Sequence, residues 1–163
     1  MQKERGFSLI ELLIVVAIIL IIAAIAIPNL LRARMAANES SAAASIRTIN
    51  TAEVTYQSSY PTTGFAAALV NLGPSAAIPC AAVIATACLI DANLAGGTKT
   101  GYAFVSAGTG GPPKTSYTAN GKPVTANQTG VRAFCSFEDG VVRVDPAGAG
   151  GATVAACAAF SPL

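Results

Sequence analysis

The hydrophobic pattern of the chain begins with a long apolar segment close to its N-terminus. From Leu12 to Ile27, no residue carries a charge, an amide or a hydroxyl group. Counted from Phe7 to Leu31, a helix of about 25 residues would measure about 37 Å, against roughly 30 Å for the hydrocarbon core of a bilayer. The pattern therefore predicts a helix that can span a membrane.

Beyond this segment the pattern becomes amphipathic. Apolar residues recur at spacings of three, four or seven, which places them on one face of a continuing helix. They are Leu31, Met35, Ala42, Ile46, Ile49 and Tyr56. We therefore expect the helix to continue to about Gln57 and to pack this face on a sheet. Pro28 lacks an amide hydrogen and is expected to kink or loosen the helix rather than end it.

The second half of the chain alternates between apolar and polar residues, which is typical of strands. The alternating runs are 100–105, 115–119, 131–137 and 141–144. Asp139-Gly140 lies between the last two runs and is a strong hairpin signal. The chain is thus predicted to be an α+β protein, with a long N-terminal α-helix packed on a four-stranded antiparallel sheet. A short helix is expected within 66–72, and 73–95 has no clear pattern.

Composition excludes several classes of function. Charged residues make up 11% of the chain and the net charge is +2, which is too small to indicate nucleic acid or an acidic partner surface. Histidine is absent, which excludes Ser-His-Asp and Cys-His catalysis. No phosphate-binding glycine loop follows a strand. We therefore expect neither an enzyme nor a bound cofactor.

Four cysteines lie beyond the apolar segment, at positions 80, 88, 135 and 157. Because no pair has CxxC spacing and histidine is absent, zinc binding is disfavoured and disulfides in an oxidising compartment are expected. Of the three possible pairings we favour Cys80 with Cys88 and Cys135 with Cys157. The second bridge would fasten the C-terminal segment to the sheet.

The last hairpin carries the carboxylates Glu138, Asp139 and Asp145. Hard oxygen ligands suit calcium, so a calcium site is one interpretation. No loop spacing matches a known site, however, and we favour turn and strand-end roles for these residues, with no metal.

Glu11 is the exception in the apolar segment. Insertion of a carboxylate costs ~2.5–3.5 kcal/mol of free energy at the bilayer centre and less near the interface. Its presence here therefore indicates a solvated position, a pairing partner or a function. One interpretation is a solvated side chain near the headgroups. The other comes from its surroundings, a short basic leader followed by Gly6-Phe7-Ser8-Leu9-Ile10-Glu11-Leu12-Leu13.

This motif resembles the class III signal peptide of the type IV pilin superfamily, which includes type IV pilins and type II secretion pseudopilins. The resemblance implies the pilin fold, cleavage after Gly6 by a prepilin peptidase, and methylation of Phe7 as the new N-terminus. It also implies assembly through Phe7, Glu11 and Pro28, with Glu11 paired to the terminal ammonium of a neighbouring subunit. A secretory cleavage at Ala23-Ala24-Ile25-Ala26 is disfavoured because the apolar run continues beyond it.

The resemblance also divides the chain into segments. These are a leader at 1–6, a transmembrane and polymerisation helix at 7–31, its amphipathic half at 32–57, a variable αβ-loop at 58–99, and the sheet with a disulfide-bounded C-terminal loop at 100–163. The implied partners are copies of the chain itself, the prepilin peptidase, and an inner-membrane assembly platform with its ATPase-driven machinery.

The lysine and arginine count alone gives little bias in membrane orientation, so the orientation is taken from the resemblance. The resemblance implies an inner-membrane precursor with a single span and a cytoplasmic N-terminus. The assembled product would be a cell-surface pilus that serves adhesion, twitching, DNA uptake or secretion. The alternatives are a periplasmic type II secretion pseudopilus and a single-span membrane-anchored binding protein that never polymerises. A C-terminal loop bounded by a disulfide is common in type IV pilins, and many major pseudopilins lack one. The resemblance therefore favours the pilin over the pseudopilin.

Overall fold

The computed structural model describes residues 7–75, 77 and 79–163. The leader at 1–6, including Gly6, lies outside the described residues. The chain forms two compact units, one ending at Arg34 and the other running from Met35 to Leu163. The long helix α1, Leu9–Ser59, supplies residues to both units.

Helix α1 confirms the predicted long N-terminal helix, and it does not end at Pro28. By length and composition, it is the one helix among the described residues that could cross a membrane. None of its most apolar window is buried within the protein. Its large apolar side chains from Leu9 to Leu31 are exposed, as expected for a surface that contacts lipid or other protein chains.

The second unit contains one antiparallel sheet with strand order β1-β2-β3-β4-β5-β6. The strands are β1, Thr98–Lys99; β2, Tyr102–Thr109; β3, Ser116–Pro123; β4, Ala133–Phe137; β5, Arg143–Asp145; and β6, Ser161–Pro162. In the part of the chain that the structure describes, three short helical elements accompany it: a 3₁₀ helix at Leu69–Leu72, α2 at Ala92–Ala95 and α3 at Val154–Ala158. The predicted short helix within 66–72 is therefore present as the 3₁₀ helix.

The predicted number of four strands is wrong, because the sheet has six strands among the described residues. The two additional strands, β1 and β6, are edge strands of two residues each. Strands this short carry no readable alternation, so only their pairing with β2 and β5 identifies them. Strand β3 also continues beyond the predicted run 115–119, through Asn120-Gly121 to Pro123. Pairing on both sides overrides the turn propensity of that dipeptide.

The core lies between the second half of α1 and one face of the sheet. The helix contributes Ala42, Ile46, Ile49 and Tyr56, and the strands contribute Tyr102, Phe104, Tyr117 and Phe134. All eight are at most 2% exposed. The helical stripe read from the sequence is therefore the core face from position 42 onward. The opposite face of the sheet is partly covered by the segment that follows β5, which returns to the sheet at the Cys135–Cys157 disulfide.

Candidate functional site

The start of α1 is fixed by a contact between Ser8 and Glu11. Ser8 precedes the first helical residue, and its backbone N–H donates to Oε2 of Glu11 over 3.0 Å. The N–H of Leu12 donates to the carbonyl of Ser8 over 3.2 Å. The spacing Ser-x-x-Glu is that of a capping box, in which a glutamate at the third helical position satisfies the N-cap amide. This signal is present in the sequence, although no cap was predicted from it.

Glu11 is the one charged residue between Phe7 and Leu31. It lies in the first turn of α1, where the free N–H groups and the helix dipole favour a negative charge. Phe7 is 78% exposed beside it. The structure thus places Phe7 and Glu11 at the same helix end, while Pro28 lies several turns further along α1.

A partly buried ion pair joins the middle of α1 to the segment before β4. Glu39 Oε1 accepts hydrogen bonds from the backbone N–H groups of Val131 and Arg132, over 2.8 and 3.1 Å. Its Oε2 lies 2.8 Å from Nη2 of Arg132. Burial raises the pKa of Glu39, but these hydrogen bonds and the guanidinium charge outweigh it and hold the pKa below its ordinary value. Glu39 is therefore an ionised anchor between the helix and the sheet.

Glu53 is another acidic residue of α1, and its environment raises its pKa, whereas that of Glu39 lowers it. It is 0% exposed. Its carboxyl group accepts one hydrogen bond from the hydroxyl group of Ser106 over 2.7 Å and another from the N–H of Ala66 over 2.9 Å. Burial raises its pKa, and these two hydrogen bonds offset the effect only in part. Glu53 connects the helix, the start of the αβ-loop and β2 without a cation in contact among the described residues.

The structure contains the two favoured disulfides, Cys80–Cys88 and Cys135–Cys157. Cys157 belongs to α3 and is fully buried against β4. The segment between β5 and α3 winds around Asp145, whose carboxylate accepts the N–H groups of Ala147, Ala149 and Gly150 over 2.8–2.9 Å. Gly150 has φ +77°, and a Cβ there would collide with the amide group of Asn120. The loop thus requires glycine at this position.

The three carboxylates considered for calcium have separate protein partners. Glu138 accepts a hydrogen bond from the hydroxyl group of Ser116, and Asp139 forms an ion pair with Arg143, with 2.6 Å between Oδ2 and Nη2. Asp145 accepts hydrogen bonds from the backbone of the loop just described. Burial raises the pKa of Asp139, but the Arg143 guanidinium and the N–H of Val141 outweigh burial and hold the pKa below its usual value. Among the residues that the structure describes, no group of three His, Cys, Asp or Glu side chains is placed to hold a metal ion.

The family pattern described as the prokaryotic N-terminal methylation motif matches residues 1–27. The N-terminal segment is therefore similar to that of a type IV prepilin. The match includes Gly6 and Phe7, the positions predicted for cleavage and methylation, and Glu11. It does not extend to the sheet, so the prepilin assignment rests on the N-terminal part of the chain.

Two curated proteins are similar to part of the chain. The chain is 47% identical to the type IV wide pilus major component PilA4 of Thermus thermophilus over 76 residues, which are 45% of this chain and 56% of that protein. It is 46% identical to the type IV major pilin protein PilA of Myxococcus xanthus over 54 residues, 33% of this chain and 24% of that protein. This chain thus spans little more than half of the first relative and about a quarter of the second. No solved structure matches the chain.

Proposed function

We propose that this chain is a pilin, the structural subunit of a type IV pilus-like filament. The observation that carries the proposal is α1, whose N-terminal turns expose a continuous apolar surface with Glu11 as its one charge. The methylation motif and the two major pilins among the relatives support it. The same relatives favour the pilin over the secretion pseudopilin and over an anchored binding protein that never polymerises.

In this proposal the precursor crosses the inner membrane once, with the leader in the cytoplasm. A prepilin peptidase cleaves after Gly6 and methylates Phe7. The apolar half of α1 then passes from lipid into a bundle of equivalent helices, guided by an assembly platform and its ATPase. Little apolar burial is lost in that transfer, because lipid tails and neighbouring helices are similarly apolar. Head-to-tail contacts between identical subunits produce an open helical filament, which reaches the cell surface.

Glu11 gives the filament its register. In the precursor its carboxylate is satisfied locally by the N–H of Ser8. Cleavage before Phe7 creates an ammonium group at the same helix end, and a neighbouring subunit can bring its own ammonium to Glu11. Two opposite charges in a low-dielectric bundle attract strongly, and a single charge there is heavily penalised. The correct axial alignment of neighbouring subunits is therefore energetically favoured, and misalignment is disfavoured.

The Gly6→Ala variant tests processing and assembly together. In a piliated bacterial host that lacks its own major pilin, we expect the wild-type chain to be recovered in sheared fibres, with methylated Phe7 as its first residue by mass spectrometry. The variant is expected to accumulate as uncut precursor in the membrane and to form no fibres. A wild-type chain that is never cut, or is cut and never leaves the membrane, would overturn the proposal.

A further inference from the structure

The two disulfides of the chain differ in how easily a reactant can reach them. Cys135 and Cys157 are both 0% exposed. Cys80 is exposed and Cys88 is half-buried, in the αβ-loop. Exchange of a disulfide requires an incoming thiolate to reach one of its two sulfur atoms. In the folded chain, the Cys80–Cys88 disulfide is therefore accessible to exchange, and the Cys135–Cys157 disulfide is shielded.

Two hydrogen-bond donors point at the sulfur atom of Cys80. The backbone N–H of Ser75 donates to Sγ over 3.1 Å, and the hydroxyl group of Ser75 donates to the same Sγ over 3.4 Å. The hydroxyl oxygen of Ser75 accepts the N–H of Ala81 over 3.0 Å, which leaves its proton free to point at sulfur. Both donors are thus held in place around Cys80.

These donors stabilise a thiolate more than they stabilise a disulfide. A disulfide sulfur is a weak acceptor, whereas hydrogen bonds to an ionised acceptor are roughly twice as strong as neutral ones. Within the described part of the chain, no N–H or hydroxyl group donates to Sγ of Cys88, and the carbonyl oxygen of Thr86 lies 3.8 Å from it. Negative charge is therefore favoured on Cys80 over Cys88.

The surroundings of the Cys80–Cys88 disulfide do not repel an incoming thiolate. Between Glu53 and Asp91 the sequence contains no charged residue. Glu53 is enclosed in the core, and Asp91 forms an ion pair with Lys99 over 2.9 Å. Because a thiolate is an anion, nearby carboxylates without a partner would slow its approach. The electrostatic surroundings thus permit the attack.

We propose that the Cys80–Cys88 disulfide is a site of thiol–disulfide exchange with a protein dithiol, in which Cys88 is attacked and Cys80 is the leaving thiolate. A thiolate of the reactant forms a new S–S bond with Sγ of Cys88. The electron pair of the broken bond goes to Sγ of Cys80, where the two Ser75 donors stabilise it. The more stable thiolate is the better leaving group.

The second thiol of the reactant completes the exchange. As a thiolate, it attacks its own sulfur in the mixed disulfide and releases Cys88 as a thiolate. The dithiol is oxidised to a disulfide, the chain gains two electrons, and the two protons given up by the dithiol end on Cys80 and Cys88. When the bridge forms again, the same path in reverse makes the Cys80 thiolate the attacking group. The inference is independent of the proposed function, because it concerns a reaction of the single chain.

Which sulfur is attacked can be measured in the wild-type chain. The oxidised full chain in detergent is treated with glutathione, a monothiol that stops at the mixed disulfide, and freed thiols are trapped at early times with N-ethylmaleimide. Mass spectrometry of the peptides then identifies the label on each cysteine. We expect at least about fivefold more glutathione on Cys88 than on Cys80, with Cys135 and Cys157 unlabelled. Equal labelling of Cys80 and Cys88, an excess on Cys80, or labelling of the buried pair at a similar rate overturns the proposal.

Ser75→Ala tests the source of this preference. The variant removes the hydroxyl donor and keeps the backbone N–H, so we expect the disulfide to open about threefold more slowly and the excess of glutathione on Cys88 to fall. A loop that was merely loosened would open faster instead. The matched control is Ser58→Ala, because the hydroxyl group of Ser58 donates to the carbonyl of Val54 on the surface of α1, and it should behave as wild type. Unchanged opening and labelling in Ser75→Ala would overturn the role given to Ser75.

Discussion

At the scale of single residues, Glu11 and Glu53 are two carboxylates of one helix with different tasks. Glu11 is held by one backbone amide at an exposed helix end, so its carboxylate remains available to a partner of opposite charge. Glu53 is enclosed by the fold and already has two donors. The first is suited to contacts between chains, and the second holds parts of one chain together.

Two substitutions at Glu11 separate its charge from its capping role. Glu11→Gln retains an oxygen that can accept the Ser8 N–H but removes the charge, whereas Glu11→Ala removes both. Loss of one partner of a buried ion pair costs about 3–5 kcal/mol, so we expect both variants to lose their fibres, measured by electron microscopy of sheared material. If Glu11→Gln assembled normally and Glu11→Ala did not, capping rather than charge would be the requirement.

The environment of Glu53 predicts a pH dependence of stability. Its pKa is raised in the folded chain by burial, so its contribution to stability is fully present below the ordinary pKa of a glutamate and is lost as the pH rises through the folded pKa. Glu53→Gln is neutral at every pH. We therefore expect the melting temperature of wild type, relative to Glu53→Gln, to be higher at pH 5 than at pH 8.

Thermal unfolding of the full chain in detergent measures this difference. A change of 1 kcal/mol corresponds to roughly 2–4 °C in a chain of this size. Glu39 and Asp139, with lowered pKa values, lose their contribution as the pH falls, and the comparison with Glu53→Gln cancels that effect. Glu138→Gln, at an exposed carboxylate, is the matched control. Equal differences at both pH values would contradict the assignment of Glu53.

At the scale of elements, the C-terminal loop depends on a single crosslink and a single carboxylate. Cys135 and Cys157 are separated by 22 residues and both are fully buried. Asp145 organises the backbone between β5 and α3 by accepting three N–H groups. The loop contains mostly alanine and glycine, which offer little apolar surface, so covalent and polar contacts replace a hydrophobic core here.

Removal of this disulfide is expected to destabilise the chain measurably. In the chain-entropy account, a crosslink of this span contributes about 3 kcal/mol. We expect Cys135→Ala/Cys157→Ala to lower the melting temperature by roughly 10 °C. The Cys80–Cys88 disulfide closes a shorter loop, so Cys80→Ala/Cys88→Ala should lower the melting temperature less. A larger loss from the second pair than from the first would contradict the structural role given to the C-terminal loop.

At the scale of the whole molecule, the long helix could be read from sequence because its signals are local. A run of apolar residues and then a stripe at helical spacing predict α1 almost to its last residue. The motif around Gly6 and Glu11 is similarly local, and a match to residues 1–27 agrees with it. The hairpin of β4 and β5 followed from alternation on both sides of Asp139-Gly140, and the strands pair as predicted.

Composition and spacing within short stretches of the chain were therefore sufficient to predict the membrane-length helix, the resemblance to a prepilin segment and the α+β class. The edge strands β1 and β6 and the contrasting environments of Glu39 and Glu53 are visible only in the folded structure. These features depend on residues distant in sequence. Glu39 is 93 positions from Arg132, and Glu53 is 53 positions from Ser106. No local pattern records which distant donors will surround a carboxylate, since burial and partners are set when the helix packs on the sheet.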